Sequence, residues 1–437
     1  MSETKIFAVA GDPVLHSRSP QIFRSLFGDR DPDATYVRLS TESAGQAAAA
    51  AESMNLSGFN VTTPFKKSLM PYLDEIDRRA LDVGAVNCVV RHNDSWTGYN
   101  TDFYGAVSAL ESRGIGIEKK HIAILGAGGA ARAAAYGLIR SGASNVVLMN
   151  RTAKKAEEAA RSLGCAWAGL DRLPEIVGRS DILISCLTGV QALVGRDLLL
   201  RGLVVMDANY RNSRLAGMAL EQGCTVISGL DWLFHQALLS FRLFTGREIS
   251  REIQDSARTV LDQDDFRARP NLALIGFMGS GKSAVGKRLT ERMGFEFVDT
   301  DTVIENSLGM TVGGIFKKRG EDFFRKNEKS VLAALIPSSR RTIFAIGGGA
   351  VLDEKNRAVI GRHCRTVWLW ISPSTALKRI KSSPRPLLKG PDDGGKAEEI
   401  LKSRLLVYAK LSDMVVSNES GSPEDQARRI HHEYEMD

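Results

Sequence analysis

The octet Gly276-Phe277-Met278-Gly279-Ser280-Gly281-Lys282-Ser283 has the spacing G-x-x-x-x-G-K-S/T. Glycines at these places let successive backbone N–H groups turn inward and surround phosphate oxygens. A lysine after the last glycine reaches the β- and γ-phosphates, and the next hydroxyl ligates a divalent cation. Gly279, Ser280, Gly281, Lys282, Ser283 and Ala284 are therefore the expected nucleotide contacts, with ATP as ligand and Mg2+ on Ser283. A phosphoryl donor needs an acceptor. Two carboxylates, Asp299 and Asp301, end the apolar run "FEFVDTD". One can serve the metal while the other holds an acceptor hydroxyl and takes its proton. Downstream come Arg325 in "GEDFFRKNE", Gly347 to Gly349 at a strand end, and Arg404 in the helical stretch "LKSRLLVYAKLSD". Arg385 sits in the Pro- and Gly-rich "SSPRPLLKG", the composition of a closing loop. A lone arginine is most often half of a surface ion pair, so these cations count only as a set.

A second glycine run lies upstream. Ile122 to Leu125 form an apolar strand that enters Gly126-Ala127-Gly128-Gly129-Ala130-Ala131, a G-x-G-x-x-A turn ahead of a helix. The first glycine permits the tight turn, and the second lets the backbone approach a pyrophosphate. The small third residue lets the helix pack on the strand. The next strand, "NVVLMNRT", ends in Asn150-Arg151-Thr152. An NAD-selective protein carries an acid there, whereas arginine suits a 2′-phosphate, so NADPH/NADP+ is the expected cofactor. Four polar clusters precede this loop: Ser17 and Ser19 in "GDPVLHSRSP", Asn60, Thr62 and Lys66 in "GFNVTTPFKK", Asn87 in "GAVNCVV", and Asn100, Thr101 and Asp102 in "GYNTDFYG". Each follows an apolar run, and strand ends of that kind meet at the ligand crevice of an open α/β sheet. Singly, each also reads as an Asx or serine turn. Together, around one lysine and one aspartate, they suit a polyhydroxylated acid. Lys66 beside Asp102 can protonate a carbonyl oxygen as hydride arrives.

Such groups must be held by elements, and the pattern supplies them. Short apolar runs ("KIFAVAG", "HIAILGAGG", "DILISC", "LVVMDA") alternate with amphipathic stretches up to about residue 250, the beat of an α/β fold. "AGQAAAAAES" is a helix by alanine content. Residues 251–269 are charged and lack strand character, which reads as a helix end plus a linker; the beat restarts at Asn271. That restart predicts a C-terminal part able to fold alone. A chain of 437 residues is too long for one ordinary core. Long apolar runs are absent, so no membrane span is expected, and the N-terminus is a poor secretion signal. Five scattered cysteines without a C-x-x-C pair fit a reduced, cytoplasmic protein. The excess of 58 basic over 51 acidic residues is spread out, so it suits small anionic ligands rather than nucleic acid.

The motifs of residues 5–246 resemble shikimate dehydrogenase in order. The resemblance implies that Ser17, Ser19, Asn60, Thr62, Lys66, Asn87, Asp102, Tyr210 and Gln236 bind substrate, with Lys66 and Asp102 as the catalytic pair. Gly126 to Ala130, Asn150 to Thr152 and Gly229 would hold the cofactor. Two segments depart from the family pattern on the nicotinamide side: Ser185-Cys186-Leu187-Thr188, where Asn-Ala-Thr is usual after the strand, and Arg211-Asn212, where Asn-Pro is usual after Tyr210. Residues 271 to about 420 resemble shikimate kinase. That resemblance implies shikimate binding by Asp301, Arg325, Gly348 and Arg404, catalysis by Lys282, Asp301 and Arg385, and Mg2+ on Ser283 and Asp299. The implied domains are 1–103 (completed by 230–250) for substrate, 104–229 for NADP, 251–269 as linker and 270–437 for the kinase. The implied reactions are consecutive: reduction of 3-dehydroshikimate to shikimate, then phosphorylation of the new 3-hydroxyl. A non-catalytic NADPH sensor, or quinate as substrate, remains open for the first half, and both a monomer and a homodimer are compatible with the sequence.

Overall fold

The apolar runs become strands close to the expected boundaries, among them Lys5–Gly11, His121–Leu125, Asn145–Met149, Ile182–Ser185 and Val204–Asp207. The alanine-rich run forms the helix Ala44–Ser53, capped by the Ser43 side chain, which accepts from the Gln46 backbone N–H. The computed structural model describes residues 4–187, 193–211, 213–262, 269–380 and 393–437. They divide into two units, one of residues 1–20, 27–63 and 263–437 and another of residues 21–26 and 64–262. No helix among the described residues is long and apolar enough to cross a membrane.

In the first unit, eight parallel strands run in the order Glu296–Asp299, Thr342–Ala345, Asn271–Ile275, Cys364–Trp370, Met414–Ser417, Ala34–Ser40, Lys5–Gly11 and Gly58–Val61. Five of these strands belong to the C-terminal part and three to the beginning of the chain. They meet where Met414–Ser417 pairs with Ala34–Ser40, Val415 opposite Leu39 and Val416 opposite Ser40. The C-terminal part therefore shares its sheet with the beginning of the chain, a pairing that the restart at Asn271 does not announce. The physical reason is that both meeting strands would otherwise present open rows of N–H and C=O groups, and each covers the other. Below the sheet, Leu272, Leu274, Val416, Ala427 and Ile430 form a buried cluster that also takes in Leu15. The last helix, Pro423–Met436, starts from a capping box of Ser422 and Asp425 and packs on the helix Lys282–Met293.

The second unit holds a six-stranded parallel sheet in the order Ala166–Ala168, Asn145–Met149, His121–Leu125, Ile182–Ser185, Val204–Asp207 and Thr225–Ile227. Counted along the chain this is 3-2-1-4-5-6, the doubly wound dinucleotide-binding order with its switch point between the first and fourth strands. Helix Asp102–Glu111 packs between helices Gly129–Arg140 and Gly229–Thr245. Two glycines permit this: a Cβ on Gly137 would lie 2.7 Å from the Phe103 carbonyl, and one on Gly105 2.9 Å from the Trp232 carbonyl. Residues 251–262, expected to lead into a linker, form a helix that buries Ala257 and Leu261 and pairs Arg258 with Asp231. Its charged composition conceals an apolar pair one turn apart, enough to dock it.

Candidate active sites

The glycine loop of the second unit starts at Gly126, whose φ of +119° is open only to glycine at no cost. Its N–H donates to the Met149 carbonyl at 2.7 Å, tying the loop to the end of the neighbouring strand. Helix Gly129–Arg140 begins directly behind it, with Gly128 as N-cap. A Cβ at Gly128 would meet nothing within 4 Å, so the helix N-terminus is open to a phosphate. Asn150, Arg151 and Thr152 follow the strand that Gly126 touches, Arg151 and Thr152 being exposed. This donor set fits NADPH: backbone N–H groups for the pyrophosphate and a free-standing guanidinium for the 2′-phosphate.

Four expected substrate residues of this unit come together. The Lys66 ammonium donates to Asp102 Oδ2 at 2.6 Å, and Asn87 Nδ2 donates to Asp102 Oδ1 at 2.8 Å. Gln236 Oε1 lies 3.2 Å from Asn87 Nδ2 and accepts from the Thr101 hydroxyl at 3.0 Å. Asp102 opens its helix, where the N-terminal dipole favours a carboxylate. The Trp232 indole donates to the Asp102 carbonyl at 2.8 Å and fixes that turn. The Lys66 stem crosses the glycine loop, since a Cβ on Gly129 would stand 3.2 Å from Lys66 Cδ. Proton donor and dinucleotide loop are thus neighbours. Thr101, named in the sequence as part of a polar cluster, completes the network with Ser240 and Trp232, which went unassigned; the signal for Ser240 was its one-turn spacing from Gln236 on one helix.

Of the departing segments, Cys186 is described and Thr188 and Asn212 lie outside the described residues. Burial pushes the Cys186 thiol well above its usual range, aided by the nearby Asp207 carboxylate. Cys186 borders the switch point: a Cβ on Gly126 would be 3.3 Å from its own Cβ. Gly229 starts its helix within 2.7 Å (Cβ distance) of the Asp207 carbonyl, and Tyr210 follows the same strand, half-buried.

Ser17, Ser19, Asn60 and Thr62 belong to the first unit. Ser17 and Ser19 are buried with their hydroxyls 3.3 Å apart, Ser17 donating. Asn60 Oδ1 accepts from the Tyr36 hydroxyl at 2.7 Å. Thr62 follows the strand Gly58–Val61, its N–H donating to the Ala10 carbonyl at 2.9 Å.

The phosphate loop of this unit places Gly276, Gly279 and Gly281 at φ values of +145°, +78° and +83°. Lys282 donates to the Gly276 and Phe277 carbonyls at 3.0 and 3.1 Å, folding back over its own loop. The Ser283 hydroxyl donates to Asp299 Oδ2 at 2.5 Å. Among the described residues no cluster of three or more His, Cys, Asp or Glu side chains could hold a metal. A hydroxyl and one carboxylate beside a triphosphate cradle nevertheless fit Mg2+, which keeps waters and takes phosphate oxygens as ligands. A cavity of about 480 Å3 joins this loop to Asp301, Arg325, Glu328, Gly348 and Arg404. All the expected kinase residues therefore converge except two. Arg385 lies outside the described residues, and the Ser280 side chain is fully buried, offering only backbone.

The acceptor end is built by close approach. A Cβ on Gly347 would fall 2.7 Å from Asp301 Oδ1 and 2.9 Å from Glu328 Oε1; one on Gly349 would fall 2.8 Å from Arg325 Cζ. The Gly348 carbonyl accepts from the Tyr408 hydroxyl at 2.5 Å and from Arg404 at 3.2 Å. Arg325 donates to Glu328 at 2.8 Å and to Glu321 at 3.1 and 3.2 Å. Glu328 is buried at 1% exposure, and that burial pushes its carboxyl up to about 7, opposed by Arg325 and reinforced by Asp301. Glu328 was missed in the sequence, although its place three residues after Arg325 puts both on one helix face. Asn418, also missed, donates to the Ser280 carbonyl at 2.8 Å and holds the phosphate loop from the end of strand Met414–Ser417.

Comparison with known proteins identifies the families. Family models for the shikimate dehydrogenase substrate binding domain and for shikimate / quinate 5-dehydrogenase match residues 9–89 and 109–207. The shikimate kinase model matches residues 278–435. A shikimate dehydrogenase (NADP(+)) of Pyrococcus abyssi is 41% identical over 249 residues, covering 55% of this chain and 92% of the relative. One from Bacillus cereus is 35% identical over 257 residues, covering 55% and 93%. The crystal structure of the Aquifex aeolicus shikimate dehydrogenase superposes with a TM-score of 0.56 at 30% identity, covering 60% of this chain and 98% of that one. The Thermus thermophilus enzyme, solved with NADP(H) and shikimate, gives 0.53 at 29%, covering 59% and 99%. The chain belongs to the shikimate dehydrogenases and carries a shikimate kinase domain in the same polypeptide.

Proposed function

We propose that this chain catalyses two consecutive reactions toward chorismate and the aromatic amino acids. The first is NADPH-dependent reduction of 3-dehydroshikimate to shikimate; the second is ATP- and Mg2+-dependent phosphorylation of shikimate to shikimate 3-phosphate. The observation that carries the reading is the Lys66–Asp102 pair set against Gly129 of the dinucleotide loop. Bound NADPH supplies the hydride. Lys66 gives a proton to the oxygen that was the 3-ketone, and Asp102, held by Asn87, keeps the ammonium aimed. Ser17, Ser19, Asn60, Thr62, Tyr210 and Gln236 hold the hydroxyls and carboxylate of the substrate. Arg151 selects the 2′-phosphate.

In the kinase, ATP with Mg2+ supplies the phosphoryl group. Lys282 neutralises its oxygens, Ser283 and Asp299 hold the metal, and Asp301 takes the proton of the 3-hydroxyl. Arg325 and Arg404 clamp the shikimate carboxylate, the Gly348 backbone braces the ring, and Arg385 covers the transferring group. Guanidinium suits a carboxylate clamp because its paired donors match two oxygens. The working division keeps 1–103 with 230–250 for substrate, 104–229 for NADP and 270–437 for the kinase. A reducing cytoplasm, with small molecules as partners, suits the five free thiols.

The test is one vessel with the protein, 3-dehydroshikimate, NADPH, ATP and Mg2+. Equal loss of NADPH and gain of ADP, ending in shikimate 3-phosphate, is expected; without ATP the reaction stops at shikimate. ADP formation from added shikimate with no NADPH oxidation would instead mark the first half as a sensor. A parallel run of the reverse reaction with quinate decides the acid.

A further inference from the structure

The loop that carries Ser17 is built into the kinase. Leu15 is buried at 5% exposure in the apolar cluster of Leu272, Leu274, Val416, Ala427 and Ile430, all kinase residues. Glu433, on the last helix of the kinase and fully buried, accepts from the Val14 and Leu15 backbone N–H groups through Oε2, both at 2.8 Å. Its other oxygen accepts from the Ser40 hydroxyl at 2.6 Å. Arg38 donates through Nε to the Ser17 carbonyl at 2.9 Å and through Nη1 to the carbonyl of Asp413, also a kinase residue, at 3.1 Å. The Ser17 N–H donates to the Val14 carbonyl at 2.9 Å, closing a turn between the two anchors. The turn that presents Ser17 and Ser19 is thus fixed at Val14 and Leu15 by one kinase side chain and at Ser17 through a second contact with kinase backbone.

We propose that Glu433 of the kinase is a positioning residue for the dehydrogenase reaction, holding the Val14–Leu15 turn so that Ser17 and Ser19 meet the substrate hydroxyls. This rests on the reading of Ser17 and Ser19 as substrate ligands. Glu433 touches neither substrate nor cofactor; it acts through two backbone N–H groups. Those N–H groups are buried, and a buried donor without an acceptor is costly, so the turn has no equally good arrangement once the carboxylate is removed. The dehydrogenase half of this chain therefore depends on the kinase half for its substrate affinity, a dependence that runs through one turn.

The test uses the full chain with Glu433→Leu, Glu433→Gln and Arg38→Met. Dehydrogenase is assayed without ATP, and kinase on added shikimate. Glu433→Leu is expected to raise KM for 3-dehydroshikimate about tenfold or more, the worth of buried hydrogen bonds lost. KM for NADPH and both kinase KM values should stay within about twofold. Glu433→Gln should recover most of the loss, because its carbonyl oxygen can accept from both N–H groups. Amide exchange at Val14 and Leu15 should speed up in the leucine variant and not in the glutamine variant; this readout needs no turnover and separates failed anchoring from a wrong substrate assignment. An unchanged KM for 3-dehydroshikimate in an active-kinase Glu433→Leu protein overturns the proposal. If that variant does not fold, Arg38→Met decides: a rise confined to the 3-dehydroshikimate KM supports the anchored turn, and none refutes it.

Discussion

Gly349→Ala isolates the carboxylate clamp of the kinase without touching a side chain. Gly349 has φ −98° and ψ −12°, a conformation any residue adopts, so the added methyl carries no backbone strain. Its whole effect is steric: the new Cβ would stand 2.8 Å from Arg325 Cζ and Nη1. Unbonded carbons prefer about 3.5 to 4 Å, so the guanidinium must retreat by roughly 1 Å. Because Arg325 is the far end of a flexible chain, the fold survives and the guanidinium moves. A paired guanidinium–carboxylate contact tolerates no such offset, and each hydrogen bond to a charged group is worth about 1.5 to 3 kcal/mol. The expected outcome is a rise in shikimate KM of about tenfold to a hundredfold, since each 1.4 kcal/mol is a factor of ten. ATP affinity should hardly change, because Arg325 pairs with Glu321 and Glu328 rather than with the phosphate loop. Initial rates of ADP release at varied shikimate and saturating Mg·ATP, with titration calorimetry of the nucleotide alone, provide the check. An unchanged shikimate KM, or an equal loss of ATP binding, would refute the placement of the acceptor carboxylate at Arg325.

Other outcomes follow from the same geometry. Lys66→Ala should lower NADPH oxidation ~10²- to 10⁴-fold while phosphorylation of added shikimate persists; near-normal reductase turnover would remove Lys66 from catalysis. Arg151→Ala should weaken NADPH relative to NADH by about ten- to a hundredfold in binding titrations, and equal losses would make Arg151 structural. Glu328 sits at about 7 in the folded protein against an ordinary 4.5, so the folded state holds that proton more tightly than the unfolded chain. Its stabilising contribution is complete below about 4.5 and is lost as pH rises through 7, so wild type should lose up to ~3 kcal/mol relative to Glu328→Gln between pH 4.5 and 8. Urea midpoints of the two proteins at both pH values measure this, and parallel pH profiles would contradict the burial argument.

Local order was legible because local causes produce it. The strands His121–Leu125 and Asn145–Met149, the helix Ala44–Ser53 and both glycine loops follow from period, propensity and turn chemistry within a few residues. Lys66, Asn87 and Asp102 were legible as polar clusters after apolar runs and Gln236 only through the family resemblance, and the structure joins the four in one network. Less was legible where the cause is remote. Glu328 and Asn418 look like ordinary surface polar residues until the cavity and the phosphate loop close over them. The pairing of Val415 with Leu39 has no local signature, since a parallel edge strand reads the same whether solvent or another strand lies beside it. Leu15 likewise reads as half of a short apolar pair with Val14 in a polar turn, and its cluster partners are some 250 positions and more away.

That remote pairing sets a clock on synthesis. Leu39 and Val415 are 376 positions apart (415 minus 39), so the second strand made must wait for the last strand of the described residues. At about 5 to 20 residues per second the interval is roughly 20 to 75 s. Throughout it, Ala34–Ser40 carries an open strand edge, and the turn around Leu15 has no apolar pocket to enter. A nascent chain in that condition is a substrate for holding chaperones and a candidate for pairing with its neighbour on the same message. Slow codons placed after the second unit would lengthen the exposure, and a message encoding only the first 262 residues would release chains in which it never ends.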